Sequence, residues 1–239
     1  MQLSETARVQ LAQLKVFRNS NIMNDLNPFL AAGYHTDSDH PSIIEYVKNK
    51  TEGINKLDEK VSTLYNAVRD DFKYYPYHLI LKPEALKASY LLKKDYGYCV
   101  EKSNLFAACM RVIDIPSRLC FANVRNHLAT EKVENYLKTD LMVFHGYVEI
   151  FLNNKWTKLT PVFDKALCDK LGVAVLEFDG HNDCIFQESD KEGKPFMQYE
   201  HYYGSFSELP FELFVSELRK FYPHLFYDRI FTEKIIIDF

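Results

Sequence analysis

The sequence predicts an α+β fold, helices first and an antiparallel sheet after them. Three observations carry that expectation. Ile54, Leu57, Val61, Leu64, Val68 and Phe72 form an apolar stripe at helical spacing before any strand signal. A second apolar stretch runs from Leu105 to Ile113. Two alternating segments, 143–152 and 155–163, then flank Asn153-Asn154, which reads as a two-residue hairpin turn. Helices gathered ahead of a hairpin do not make the alternating βαβ units of a parallel sheet. At 239 residues the chain has the length of one large domain. We therefore expect a single domain over 1–239, its core at about 54–165, with an N-terminal helical and a C-terminal extension.

Taken in order, residues 3–18 place Leu3, Ala7, Leu11, Leu14 and Phe17 on one face of an opening helix. Asn19 to Pro28 and Thr36 to Pro41 are rich in turn formers and read as loops. The striped helix should end near Tyr74, because Pro76 disfavours helical geometry just before it. Pro83 can open a short helix through Leu92. A strand follows Pro116, a helix spans Leu209 to Tyr222, and 230–239 reads as a final strand.

Composition narrows the function. Hydrophobic residues are 47% of the chain, enough for a packed core, which excludes disorder as the main state. Lys plus Arg number 29 against 33 Asp plus Glu, a net charge of −4, which argues against binding nucleic acid by phosphate neutralisation. No apolar run reaches the length of a signal peptide core or of a membrane span. A cytoplasmic protein with free thiols is the expectation, without a membrane partner.

Of five cysteines, Cys99 has the distinctive setting. Gly97 precedes it and the apolar helix follows it, so the thiol should sit at a helix N-terminus, where free N–H groups and the dipole favour an anion. Cys109, inside the same helix, reads as core. A nucleophilic thiol needs a base, and His145 at the start of the first hairpin strand is the best placed of eight histidines. Each residue alone reads more simply as structural.

Together they resemble the transglutaminase-like family, whose papain-related core carries a Cys-His-Asp triad. The resemblance runs roughly from Leu57 to Asp164. It rests on YGYCVEKSNLFAACMRVIDIPSR (96–118), similar to the family's Gly-x-Cys helix and following turn. It rests also on HGYVEIFLNNKWTKLTP (145–161), similar to the family's His strand, turn, Trp and return strand. Asp114 stands where the family usually has Gly, and Thr160 stands before Pro161 where the family has its triad Asp. Thr has no charge with which to stabilise an imidazolium, though its hydroxyl can accept a hydrogen bond. Asp164, on the same strand face if the strand stays regular, is the candidate replacement, with Thr160 as the alternative.

The resemblance implies a cysteine-dependent amide-bond enzyme in which Cys99 attacks, His145 takes the proton and Asp164 orients the imidazole. Its partner would be a peptide or protein amide, with water or an amine as acyl acceptor, and the thiol chemistry needs no cofactor or metal. A non-catalytic peptide-binding module on the same fold is the competing expectation. Elsewhere, Arg125, Asn126 and His127 are candidates for lining the cleft, and 177–192 reads as an acidic loop. Cys168, His181 and Cys184 lack zinc-ligand spacing. Trp156 is expected in the core, Glu149 and Lys158 as a cross-strand ion pair, and Tyr199, Tyr202 and Tyr203 as packing.

Overall fold

The computed structural model describes residues 25–127, 131–186 and 188–227, so the opening helix and the final strand expected from the sequence lie outside the described residues. Helix α1 (Pro41–Thr51) starts with proline at its first turn, and the His40 ring accepts a hydrogen bond from the Ser42 N–H. Helix α2 (Leu57–Asp71) buries Val61, Leu64 and Val68 of the stripe seen in the sequence, and Tyr65 beside them, while Leu57 is exposed and Ile54 precedes the helix. It stops at Asp71, because Phe72 is already extended and the chain enters strand β1 (Lys73–Tyr74). The short helix expected from Pro83 is two pieces, a 3₁₀ turn (Pro83–Leu86) and α3 (Ala88–Leu91), parted by the extended Lys87. Strand β2 (Tyr96–Gly97) pairs in parallel with β1 and delivers the chain to α4 (Cys99–Val112).

Helix α4 is the centre of the molecule. Every residue from Cys99 to Arg111 is buried, with α1, α2 and α3 against it on one side and the sheet on the other. An enclosed helix has no solvent face for polar side chains, so each needs a partner inside. Glu101 accepts from the Tyr98 N–H at 2.9 Å and pairs with Lys94. Asn104 donates to the carbonyls of His35 and Leu86 and receives the Thr36 hydroxyl. Arg111 donates to the carbonyls of Ala31, Ser117 and Ser207. Lys102 is the most demanding: its ammonium donates to the carbonyls of Arg69, Phe72 and Val162 at 2.8, 2.7 and 2.6 Å. Three donors meet three acceptors, which ties the end of α2 and the segment after the hairpin to α4. Burial pulls its pKa down to about 7, and the carboxylates of Asp164 and Asp70 oppose that pull.

The sheet is antiparallel in the order β5-β4-β3-β6, with β3 (Ser117–Asn126), β4 (Leu141–Leu152), β5 (Lys155–Leu159) and β6 (Met197–Phe206). The hairpin is as the sequence predicts, with Asn153 and Asn154 at φ 52° and 62°, the left-handed pair of a two-residue turn. Its return strand is shorter than expected. It ends at Leu159, since Pro161 has no N–H to continue the ladder and Thr160 donates instead to the Cys184 carbonyl. The acidic loop thus covers the β5 edge through Cys184, whose N–H donates to Lys158.

Glu149 and Lys158 are register partners, but Glu149 bonds Arg118 at 2.5 and 2.6 Å rather than Lys158. Trp156 is only half-buried, with the Arg118 guanidinium 4.0 Å from its ring centre. Asp114 takes φ 58°, a conformation glycine adopts freely and aspartate tolerates. Helices α5 (Glu131–Leu137) and α6 (Lys165–Leu171) follow β3 and β5, and α7 (Phe211–Phe221) and α8 (His224–Tyr227) follow β6.

The Lys102 tie gives a first prediction. Lys102→Met keeps the bulk but strands three buried carbonyls, so urea denaturation should show a loss of roughly 3 kcal/mol or more. A midpoint unchanged from wild type would contradict the tie.

Candidate active site

Cys99 is the first residue of α4, reached through the extended N-cap Tyr98. Gly97, two residues earlier, serves through its lack of a side chain: a Cβ there would stand 3.0 Å from both Leu91 Cδ1 and Lys102 Cγ. A second close approach sets the site. A Cβ on Gly146 would lie 3.2 Å from Val100 Cα and 3.4 Å from the Cys99 carbonyl oxygen. Glycine next to His145 therefore lets the first turn of α4 rest on β4. The sulfur of Cys99 lies against the N–H groups of Gly146 and Val100 and the Tyr98 side chain, all of which favour its anion.

The chain around His145 is distorted. Phe144 has φ 60°, costly for an aromatic residue by about 1–3 kcal/mol. The register of β3 against β4 shifts between Ala122 and Val124, and in that bulge the Asn123 side-chain oxygen accepts the Phe144 N–H at 3.1 Å. Phe144 stacks on Phe121 with ring centres 4.5 Å apart, which helps hold the conformation. Asn123 and Gly146 are site-building residues that sequence reasoning missed. The isolated Gly146 was the available signal, since a glycine inside a strand often marks a close backbone approach.

The structure brings the Cys99 helix and the His145 strand together, and it gives Asp164 other work. Asp164 caps α6, accepting the Leu167 N–H at 3.0 Å through one oxygen and the Tyr74 N–H at 2.7 Å through the other. Both ring nitrogens of His145 are buried without a hydrogen-bond partner. The expected His145–Asp164 bond is therefore not made in this structure. The physical reason is the early end of β5, which takes 160–164 out of strand register. The Thr160 and Tyr199 hydroxyls are buried close to one another, and the His145 ring stands 4.9 Å from Phe186 and 6.4 Å from Tyr199.

Of the other candidates, Asn126 lines the cavity described below, Arg125 pairs with Asp140 and Glu200, and His127 is exposed. Cys168 and Cys184 are buried on separate elements, and Cys184 lies 3.3 Å from the Tyr65 hydroxyl.

Burial governs the electrostatics. Cys99 is pushed up to about 11 by desolvation, against the pull of the surrounding N–H groups. His145 is pushed down to about 3 by burial alone. At neutral pH the Cys99 thiol and the His145 imidazole are thus both uncharged. Next to Tyr98, and so close to Cys99, lies a cavity of about 530 Å³ whose walls include Tyr74, Tyr98 and Tyr222.

The family model described as the Transglutaminase-like superfamily matches residues 44–161, the stretch that holds both Cys99 and His145. Residues 44–161 form a transglutaminase-like core. Two solved structures are similar to the chain, each at 17% identity. One, from Cytophaga hutchinsonii, is described as a "Putative Cysteine Protease" and has a TM-score of 0.46, the match covering 57% of this chain and 42% of that one. The other, described as a "Putative Protease" from Parabacteroides distasonis, has a TM-score of 0.35 over 49% of this chain and 22% of that one. The chain thus spans less than half of either structure. No curated protein matches it. No helix among the described residues is long and apolar enough to cross a membrane.

Buried, neutral His145 has a consequence for stability. The folded protein takes up that proton only near pH 3, whereas the unfolded chain takes it near 6.5. Between those values the unfolded state binds more protons, so stability falls as pH falls. From pH 6.5 to 5, wild type should lose about 1.5 kcal/mol more than His145→Gln in urea titrations. Parallel losses in the two proteins would show that His145 is not held neutral.

Proposed function

We propose that the protein is a cysteine-dependent amide-bond hydrolase acting through a thioester on Cys99. One observation carries the reading: the sulfur opens a buried helix against the N–H groups of Gly146 and Val100, on the strand that bears His145. Because both groups rest uncharged, the proton in this reading moves as the nucleophile attacks, the general-base form of thiol catalysis. Sγ of Cys99 bonds to the carbonyl carbon while His145 accepts the thiol proton. The C–N bond then breaks, the leaving amine takes that proton, and the acyl group remains as a thioester. Water attacks next and the C–S bond breaks. The carboxylic acid leaves and the thiol is restored. The oxyanion formed in each half is stabilised by backbone N–H groups at the start of α4.

A peptide or protein amide is the substrate we assign, and an amine in place of water would make the same thioester step a transamidation. Asp164, as the cap of α6 and neighbour of Lys102, supports the floor of the site in this reading and does not form a triad with His145. A second reading, a peptide-binding module without turnover, is favoured by the missing orienting partner of His145. Wild type and Cys99→Ala should be compared on a panel of peptide amides, glutamine peptides and amines. We expect loss of roughly 10³-fold or more in turnover on removing the thiol. Equal rates for the two proteins would overturn the enzyme reading, and tight peptide binding without turnover would support the module.

A further inference from the structure

We propose that this site selects acyl donors whose acyl side chain is bulky and apolar, aromatic or branched aliphatic, and seats that side chain in the cavity beside Cys99. The inference rests on the thioester reading above and names its substrate class. The cavity, at about 530 Å³, is more than three times the roughly 150 Å³ void that holds benzene in an apolar core. Its walls include Leu79, Leu137, Met142, Phe163, Leu167 and Leu218. The inner wall is tyrosine: Tyr74, Tyr98 and Tyr222 line the cavity, and all three lie close enough to Cys99 to interact with its charge. A side chain in the cavity would therefore be adjacent to the carbonyl under attack.

Polarity sorts the occupants further. Among the described lining residues Lys170, exposed on α6, is the sole charged one and none is a carboxylate. A lysine or arginine side chain would lose its hydration there and find no counter-charge. The Tyr74 hydroxyl is buried without a partner on the inner wall. It supplies one hydrogen bond that an apolar side chain cannot use but that the amide group of the donor can. The cavity thus fits a donor with a hydrocarbon body and one amide at its inner end.

Two measurements test this. Wild-type hydrolysis of the 4-nitroanilides of N-acetylated phenylalanine, leucine, alanine and lysine should show kcat/KM about 10- to 100-fold higher for the first two. Cys99→Ala should bind N-acetylphenylalanine amide in calorimetry at least about tenfold more tightly than N-acetyllysine amide. Leu167→Glu and Leu137→Glu, both at half-buried positions, should each abolish the preference in both measurements while the thermal melt stays cooperative. Turnover without an apolar preference would overturn the selectivity and leave the thioester reading intact. Apolar binding by Cys99→Ala with no turnover by wild type would support the cavity assignment and overturn the hydrolase. Neither binding preference nor turnover would overturn both.

Discussion

The close seat of α4 on β4 at Gly146 is the constraint on which the rest of the structure depends. With a Cβ at that position only 3.2 Å from Val100 Cα, any other residue requires helix and strand to give by a few tenths of an ångström. The contact sets the sulfur against the Gly146 N–H and makes His145 the adjacent residue on the strand. It also buries the start of α4, and burial raises the pKa of the Cys99 thiol as burial elsewhere lowers that of the His145 imidazole. One close contact thus sets which strand lies over the thiol.

Enclosing α4 carries a cost that the sequence distributes over its polar residues. Lys102, Asn104 and Arg111 would each be destabilising in an apolar interior, yet each donates to main-chain carbonyls at loop and helix ends. These bonds reach α2, the 3₁₀ turn, the segment before α1 and the segment after β6. These buried polar groups therefore act as ties that hold surrounding segments on α4. Asp164 belongs with this group, since both of its oxygens cap main-chain N–H groups and its charge faces Lys102.

Much of this was legible in the sequence. The apolar stripe of α2, the Asn153-Asn154 turn and the helix opened by Cys99 follow from local periodicity and turn chemistry, which tertiary contacts did not override. Strand β6 was missed because its outward residues are polar and aromatic in mixed order, without clean alternation. The reading of Asp164 assumed that β5 stayed regular past Pro161. The loop strand at Cys184, distant in sequence, took the Thr160 N–H instead. The α4 polar ties were invisible for the same reason: a lysine within a helix pattern reads as solvated until the fold surrounds it.

The most direct test of the account is acid-quenched intact-protein mass spectrometry during turnover of an N-acetylphenylalanine amide, with the adduct mapped by peptide digestion. An acyl adduct should form on Cys99 alone, be released by hydroxylamine and be absent from Cys99→Ala. Turnover with no adduct, or with the acyl group on another of the five cysteines, would contradict it.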